Sequence, residues 1–170
     1  LEGRHQIGEF FRFLKNEVPG FAQSSITEIA SQVGIRESRR IQGVYALTGD
    51  DILHCASFKD SIGCSAWPME MHAQGKIEWQ FPLQAQGAYQ RLYNDLPWRM
   101  LVPQTVSNLL VAGRCASMTH EGQSAARVSG GCFVMGQAAG TAAAYSNDLS
   151  MFQNQDIAIL QQRLIRDGCY

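Results

Sequence analysis

The chain has 170 residues, 45% of them hydrophobic and 17% charged, with a formal net charge of -1. That suffices for one ordinary globular domain and excludes the dense basic face that nucleic-acid binding needs. Five cysteines without a Cys-x-x-Cys pair signal neither a disulfide framework nor a zinc site, and point to free thiols in a reducing, cytoplasmic setting.

The opening LEGRHQIGEF holds no apolar stretch of signal-peptide type. Apolar Ile7, Phe10, Phe11, Leu14 and Val18 recur at helical spacing, predicting an amphipathic helix that Pro19-Gly20 stops. Ser25 and Glu28 stand in capping-box relation ahead of Ile26, Ile29, Ala30 and Val33, predicting a second helix that ends at Gly34. Ile41 to Leu47 reads as a strand, with the basic cluster Arg36, Arg39 and Arg40 at its start and Thr48 to Asp51 as the cap of a short helix. Between Phe58 and Gly75 the pattern dissolves, and this stretch is expected to be irregular and to form a site or an interface. Ile77, Trp79, Phe81 and Leu83 alternate, so a strand with one buried face is expected there. Further strands are expected at Trp98 to Val102 and at Leu109 to Ala112, the latter an apolar run of the kind buried on both faces. A last helix carries Ile157, Leu160, Leu164 and Ile165 on one face.

Two stretches raise the chemical question. LLVAGRC, Leu109 to Cys115, runs an apolar segment into Gly-Arg. GQAAGTAAA, Gly136 to Ala144, then builds a helix from glycine and alanine, although each interior glycine costs about 1 kcal/mol relative to alanine. Helical spacing puts Cys132, Gly136, Gly140 and Ala144 on one stripe, which is expected to let another backbone come close. The connection from Gly113 to Ala126 is long for a strand-to-helix link, and Arg114, Thr119, His120, Gln123, Ser124 and Arg127 in or just beyond it can meet an anion or a polar ring. Ligands of open α/β sheets bind beyond the carboxyl ends of strands, and a helix N-terminus favours negative charge. A strand ending at Gly113 and a helix starting near Val128 therefore supply both halves of a candidate site. The run Val128 to Tyr145 approaches membrane-spanning length, but its small residues, with Ser129 and Gln137 inside, favour a buried helix of a soluble protein.

The segment NLLVAGRCASMTHEGQSAARV followed by GQAAGTAAA resembles the closing FAD motif of the FAD-dependent oxidoreductases related to glutathione reductase and fumarate reductase. GIRESRRIQGVYALTGDDI, DSIGCSAWPMEMH, LPWRMLVPQTVSNLLVAGR and the terminal LQQRLIRDG resemble family segments in the same order, so the likeness covers nearly the whole chain. The family's GxGxxG, which holds the pyrophosphate of FAD, does not occur in these residues, and the first residue is not methionine. The resemblance thus implies an α/β chain: the C-terminal part of a Rossmann-like FAD-binding domain plus part of an α+β substrate domain, whose partner is the N-terminal half of its own chain. Residues 1–105 would be the substrate portion, 106–146 the closing FAD segment and 147–170 a C-terminal helix. The parent activity would be hydride transfer between a small organic substrate and FAD, with no membrane or nucleic-acid partner and with self-association left open.

By the same resemblance Gly113 and Arg114 would lie beside the ribitol and pyrophosphate. Arg127, Val128 and Ser129 would face the pyrimidine edge of the flavin, where negative charge gathers on reduction. His120 could donate a proton or bind a substrate carboxylate, or be an ordinary loop histidine. Arg36 and Arg39 could bind an anionic substrate, or pair with Glu37 and nearby acids as structure. Glu70 and His72 match a family signature whose role the sequence does not give. Trp67 and Trp98 read as core or interface aromatics, and Cys115 has no partner at redox-motif spacing. Two other classes are a non-catalytic interaction module of the same fold and a metal-dependent hydrolase using His72, His120, Glu70 or Asp60; the first reading places no metal.

Overall fold

The computed structural model describes residues 2–73, 75–82, 91–145 and 156–169. Leu1–Ile35 and Arg36–Tyr170 form two compact units. In the first, α1 (Glu2–Glu17) is the expected amphipathic helix, and its chain turns at Pro19-Gly20. None of its residues is buried; Phe10 and Phe13 stack at 6.2 Å on its surface. The second expected helix does not form: residues 23–30 have no regular structure, and Ile26, Ile29 and Val33 remain 44%, 48% and 78% exposed. With these apolar side chains left exposed, the segment lacks the packing that stabilises most protein helices.

The second unit is a mixed helix and sheet structure in which several pairings join distant stretches of chain. Residues 41–47 form no regular strand: the backbone bends at Val44 and Tyr45 and, among the described residues, bridges its neighbours at Gly43 to Pro103 and Leu47 to Met118. Around these bridges Ile41 N–H donates to Cys115, Val44 to Val102 and Leu47 to Ser117, so three irregular segments lie side by side where one regular strand was expected. The chain then enters α2 (Gly49–Leu53) through the expected cap, with the Thr48 hydroxyl accepting from Asp51 N–H and the Asp51 carboxylate accepting from Thr48 N–H. Tyr45 adds its hydroxyl to the same carboxylate; burial, then that bond, pushes the phenol up to about 12.

The stretch expected to be irregular contains two strands. β1 (Ser61–Ser65) pairs antiparallel with β4 (Asn94–Pro97), and β2 (Met69–Ala73) forms a hairpin with β3 (Lys76–Gln80). The partner of β1 lies some thirty residues downstream, beyond the reach of a local pattern. β3 is exposed along its whole length, against the expectation of one buried face; among the described residues its strand partner is β2 alone, and α3 packs against β2. Leu83, the end of that alternation, lies outside the described residues. Trp98–Leu101 is a 3-10 turn instead of a strand. Asp60 causes this by receiving Trp98 N–H on its carbonyl at 2.7 Å and Arg99 N–H on its carboxylate at 3.1 Å, which winds the backbone. Leu109 to Ala112 is likewise not a strand: Leu109 is 44% exposed and the next three residues are half-buried, with Val111 N–H bonded to Leu101.

The supposed long connection is itself structured, as a 3-10 turn at Gly113–Cys115 and the helix α3 (His120–Ala126), whose first turn is capped by the Thr119 hydroxyl. Next come α4 (Ser129–Tyr145), starting where expected, and α5 (Ile157–Arg166). α4 buries Gly131, Met135, Ala138 and Ala142 against β1 and α5. The stripe singled out in the sequence lies elsewhere. Gly136, Gly140 and Ala144 are exposed, and a Cβ added at either glycine would meet nothing within 4 Å. Its partner in close packing is a different glycine: Gly63 on β1 has φ +147, and a Cβ there would lie 2.5 Å from Val134 of α4. On α5 Leu160 and Leu164 are buried while Ile165 is 58% exposed, one residue off the expected face. Trp98 joins the core at 3% exposure, whereas Trp67 is 42% exposed and meets Trp79 edge-on at 6.0 Å. All five cysteines are free, and no described helix is long and apolar enough to cross a membrane.

Candidate functional site

Arg36, Glu37, Glu70, His72, His120, Gln123, Ser124 and Arg127 line one cavity of about 80 Å³. Three separate stretches deliver them. The segment before Ile41 brings Arg36 and Glu37, β2 brings Glu70 and His72, and α3 with its C-terminal residue Arg127 brings the rest. The α3 backbone reaches this place because Gly122 sits against residue 47: a Cβ at Gly122 would lie 2.2 Å from the Leu47 carbonyl oxygen.

Within the cavity each ionisable group has a definite neighbour. Nδ1 of His120 lies 2.9 Å from both carboxylate oxygens of Glu37, which also accepts from Arg40. Burial pushes the Glu37 carboxyl up, but the bonds from His120 and Arg40 outweigh it and hold the group below the usual carboxylate value. On the β2 side, Nε2 of His72 is 2.7 Å from Glu70 and 3.1 Å from Nη1 of Arg36. One nitrogen thus meets both an acceptor and a donor, and the position of the proton decides which contact is a hydrogen bond. Arg127 is 9% exposed and donates to the carbonyls of Glu70 at 3.3 Å and Ser124 at 3.5 Å. Burial first, and then the nearby Arg36, pull its pKa below the ordinary arginine value.

Gln123, 1% exposed, joins the two halves of the sequence motif. Its amide donates to the carbonyl of Arg36 at 2.9 Å and to that of Arg114 at 3.5 Å, so the Gly-Arg turn and the cavity share one strut. Gly113 in that turn has φ +80, a left-handed backbone that favours glycine, and packs beside Cys132 of α4.

Of the residues singled out in the sequence, Arg36, His120 and Arg127 converge on the cavity, as do Glu70 and His72. Arg39 is exposed and outside the lining, and Glu37 pairs with Arg40 and His120. Gly113 and Arg114 stand at the turn against α4; Val128 is half-buried, and Ser129, exposed, opens the helix. The part played by Glu37 and Arg40 was hidden, because the carboxylate selects its partners only once α3 is folded against residues 36–40. No group of three or more His, Cys, Asp or Glu side chains among the described residues is placed to hold a metal ion. Asp60 is taken by Arg99 in a two-point ion pair, and Arg36 and Arg127 bring positive charge to where a cation would have to sit.

The family model described as FAD dependent oxidoreductase, a flavin-dependent class of enzyme, matches residues 1–164. The chain belongs to that family, whose cofactor is FAD. No curated protein and no solved structure matches the chain. The residues present fit one edge of such a cofactor. The first-turn amides of α4 have no acceptor within their own helix, and Ser129 and Gly130 are exposed, with open space where a Cβ of Gly130 would stand. Those donors, with the Gly113-Arg114 backbone, suit an anionic or hydrogen-bond-accepting ring edge.

Proposed function

We propose that the chain supplies the substrate side and one flavin edge of an oxidoreductase that moves a hydride between a small organic molecule and FAD. Gly113, Arg114, Val128 and Ser129 hold the cofactor edge, and Arg127 adds positive charge behind it. Residues 106–146 are then the closing segment of the FAD-binding domain, and residues 1–105 belong to the substrate portion. FAD, when bound, accepts or gives the hydride; the chain's own groups orient the substrate and handle its proton. Arg36 binds a polar or anionic substrate group, and His120 gives or takes the proton at its ring nitrogen. The reading rests on one observation above all: residues from three stretches meet in a small polar cavity tied by Gln123 to the Gly-Arg turn. Five unpaired thiols support a cytoplasmic setting.

The test uses FAD-loaded protein and a panel of small organic donors, with bleaching of the flavin absorption as the readout. His120→Ala is expected to slow bleaching by about 100-fold, the lower range for losing an acid-base group, while leaving the flavin reduction potential unchanged. Arg127→Met is expected to lower that potential by about 30 mV, equivalent to roughly 1.4 kcal/mol, because a cation near the reduced ring is lost. Full-rate bleaching in His120→Ala, or an unmoved potential in Arg127→Met, would remove the residue concerned from the reading.

A further inference from the structure

His120 has two ring nitrogens, and only one is committed. Nδ1 faces both oxygens of Glu37 at 2.9 Å, whereas Nε2 has no hydrogen bond among the described residues. A carboxylate accepts and cannot donate, so a neutral imidazole beside it must carry its proton on Nδ1, leaving the Nε2 lone pair available. Glu37 is in turn held by Arg40, three residues along, and its side chain is only 26% exposed. Arg40 is not among the residues that line the cavity, so it acts on Glu37 from behind.

We infer that Glu37 is a positioning residue for His120: it fixes the Nδ1–H tautomer and leaves Nε2 as the atom that exchanges a proton with the cavity, with Arg40 holding the carboxylate in place. This rests on the reading of His120 as the proton-transferring group. The proton itself stays on Nδ1 throughout. Nε2 takes a proton from the substrate, or returns one to it, and Glu37 remains ionised and stabilises the imidazolium while it exists. A carboxylate behind an imidazole does two things at once, setting ring orientation and tautomer.

The tautomer can be read without any cofactor. In the 170-residue protein labelled with 15N-histidine, long-range 1H–15N correlation spectra distinguish a protonated from an unprotonated ring nitrogen for each of the four histidines. The His120 signals are assigned by their loss in His120→Gln. At a pH of about 8.5, above the ordinary histidine range, wild-type His120 is expected to hold its proton on Nδ1. In Glu37→Ala the ratio of Nδ1–H to Nε2–H should fall by about tenfold, the scale set by one charge-assisted hydrogen bond. A wild-type His120 protonated on Nε2 would overturn the inference even if the alanine variant fails to fold, and so would an unchanged ratio in a folded variant. If the tautomers behave as expected but His120→Ala bleaches the flavin at full rate, the inference falls with the reading beneath it, and the bleaching experiment alone identifies that cause.

Discussion

The Glu37 carboxylate accepts from His120 and Arg40 at once, and its depressed pKa makes the folded state sensitive to acid. A carboxyl whose folded value lies below the reference 4.5 binds fewer protons when folded than when unfolded. Its contribution to stability is therefore complete above pH 4.5 and disappears as the pH falls through the lower folded value. Urea unfolding of wild type and Glu37→Gln should differ by about 1 kcal/mol at neutral pH, the scale of a hydrogen-bonded, partly exposed ion pair, and the difference should shrink as the pH is taken progressively below 4.5. A difference that persists in acid would show that the side chain stabilises by packing and not by charge. Glu37 also shows how far single residues can be read in advance. Its neighbours in sequence, Arg36 and Arg39, read equally as binders of an anionic substrate and as partners of Glu37 and nearby acids, yet the carboxylate meets Arg40 and a histidine 83 positions away. Nothing in a linear pattern measures that separation.

Helices show a sharper divide between local and long-range causes. The boundaries of α1, α2 and α4 follow from signals within a few residues: Pro19-Gly20, the Thr48 cap and the change of pattern after Val128. Which face each helix buries does not. The small stripe of α4 was expected to pack on a backbone, but the buried face is Gly131, Met135, Ala138 and Ala142. α4 carries small or apolar residues on every side, with Phe133 exposed and Met135 buried, and so lacks a contrast between apolar and polar faces that would orient it. Paired substitutions test this account. Gly140→Ala meets open space and should stabilise the protein by about 1 kcal/mol through helix propensity alone. Gly122→Ala, in contrast, would drive a methyl group into the Leu47 carbonyl, and should destabilise by about 3 kcal/mol while disturbing the cavity. Thermal melts of the two variants check both signs; a stable Gly122→Ala would mean that α3 can move away from Leu47 without loss.

Across all 170 residues no GxGxxG occurs to cradle the pyrophosphate of a dinucleotide cofactor. Isothermal titration of the 170-residue protein with FAD should accordingly give a Kd weaker than about 1 μM, less than roughly 8 kcal/mol. Nanomolar binding would show that the donors at the start of α4 and the Gly113-Arg114 turn suffice alone. The class of the molecule was legible in the linear pattern: the Gly-Arg turn, the glycine-alanine helix and their order along the chain carried the family likeness, and local signals, one of them a cap, marked three helix boundaries. These features depend on residues within one or two turns of each other, where backbone sterics and capping hydrogen bonds dominate. Tertiary structure alone decided the pairing of β1 with β4, the winding of Trp98–Leu101 by Asp60, and the gathering of Arg36, Glu37, His72, His120 and Arg127 around one cavity. Each of those is a contact between stretches tens of residues apart. Such contacts form through the burial of a shared core that no single segment specifies.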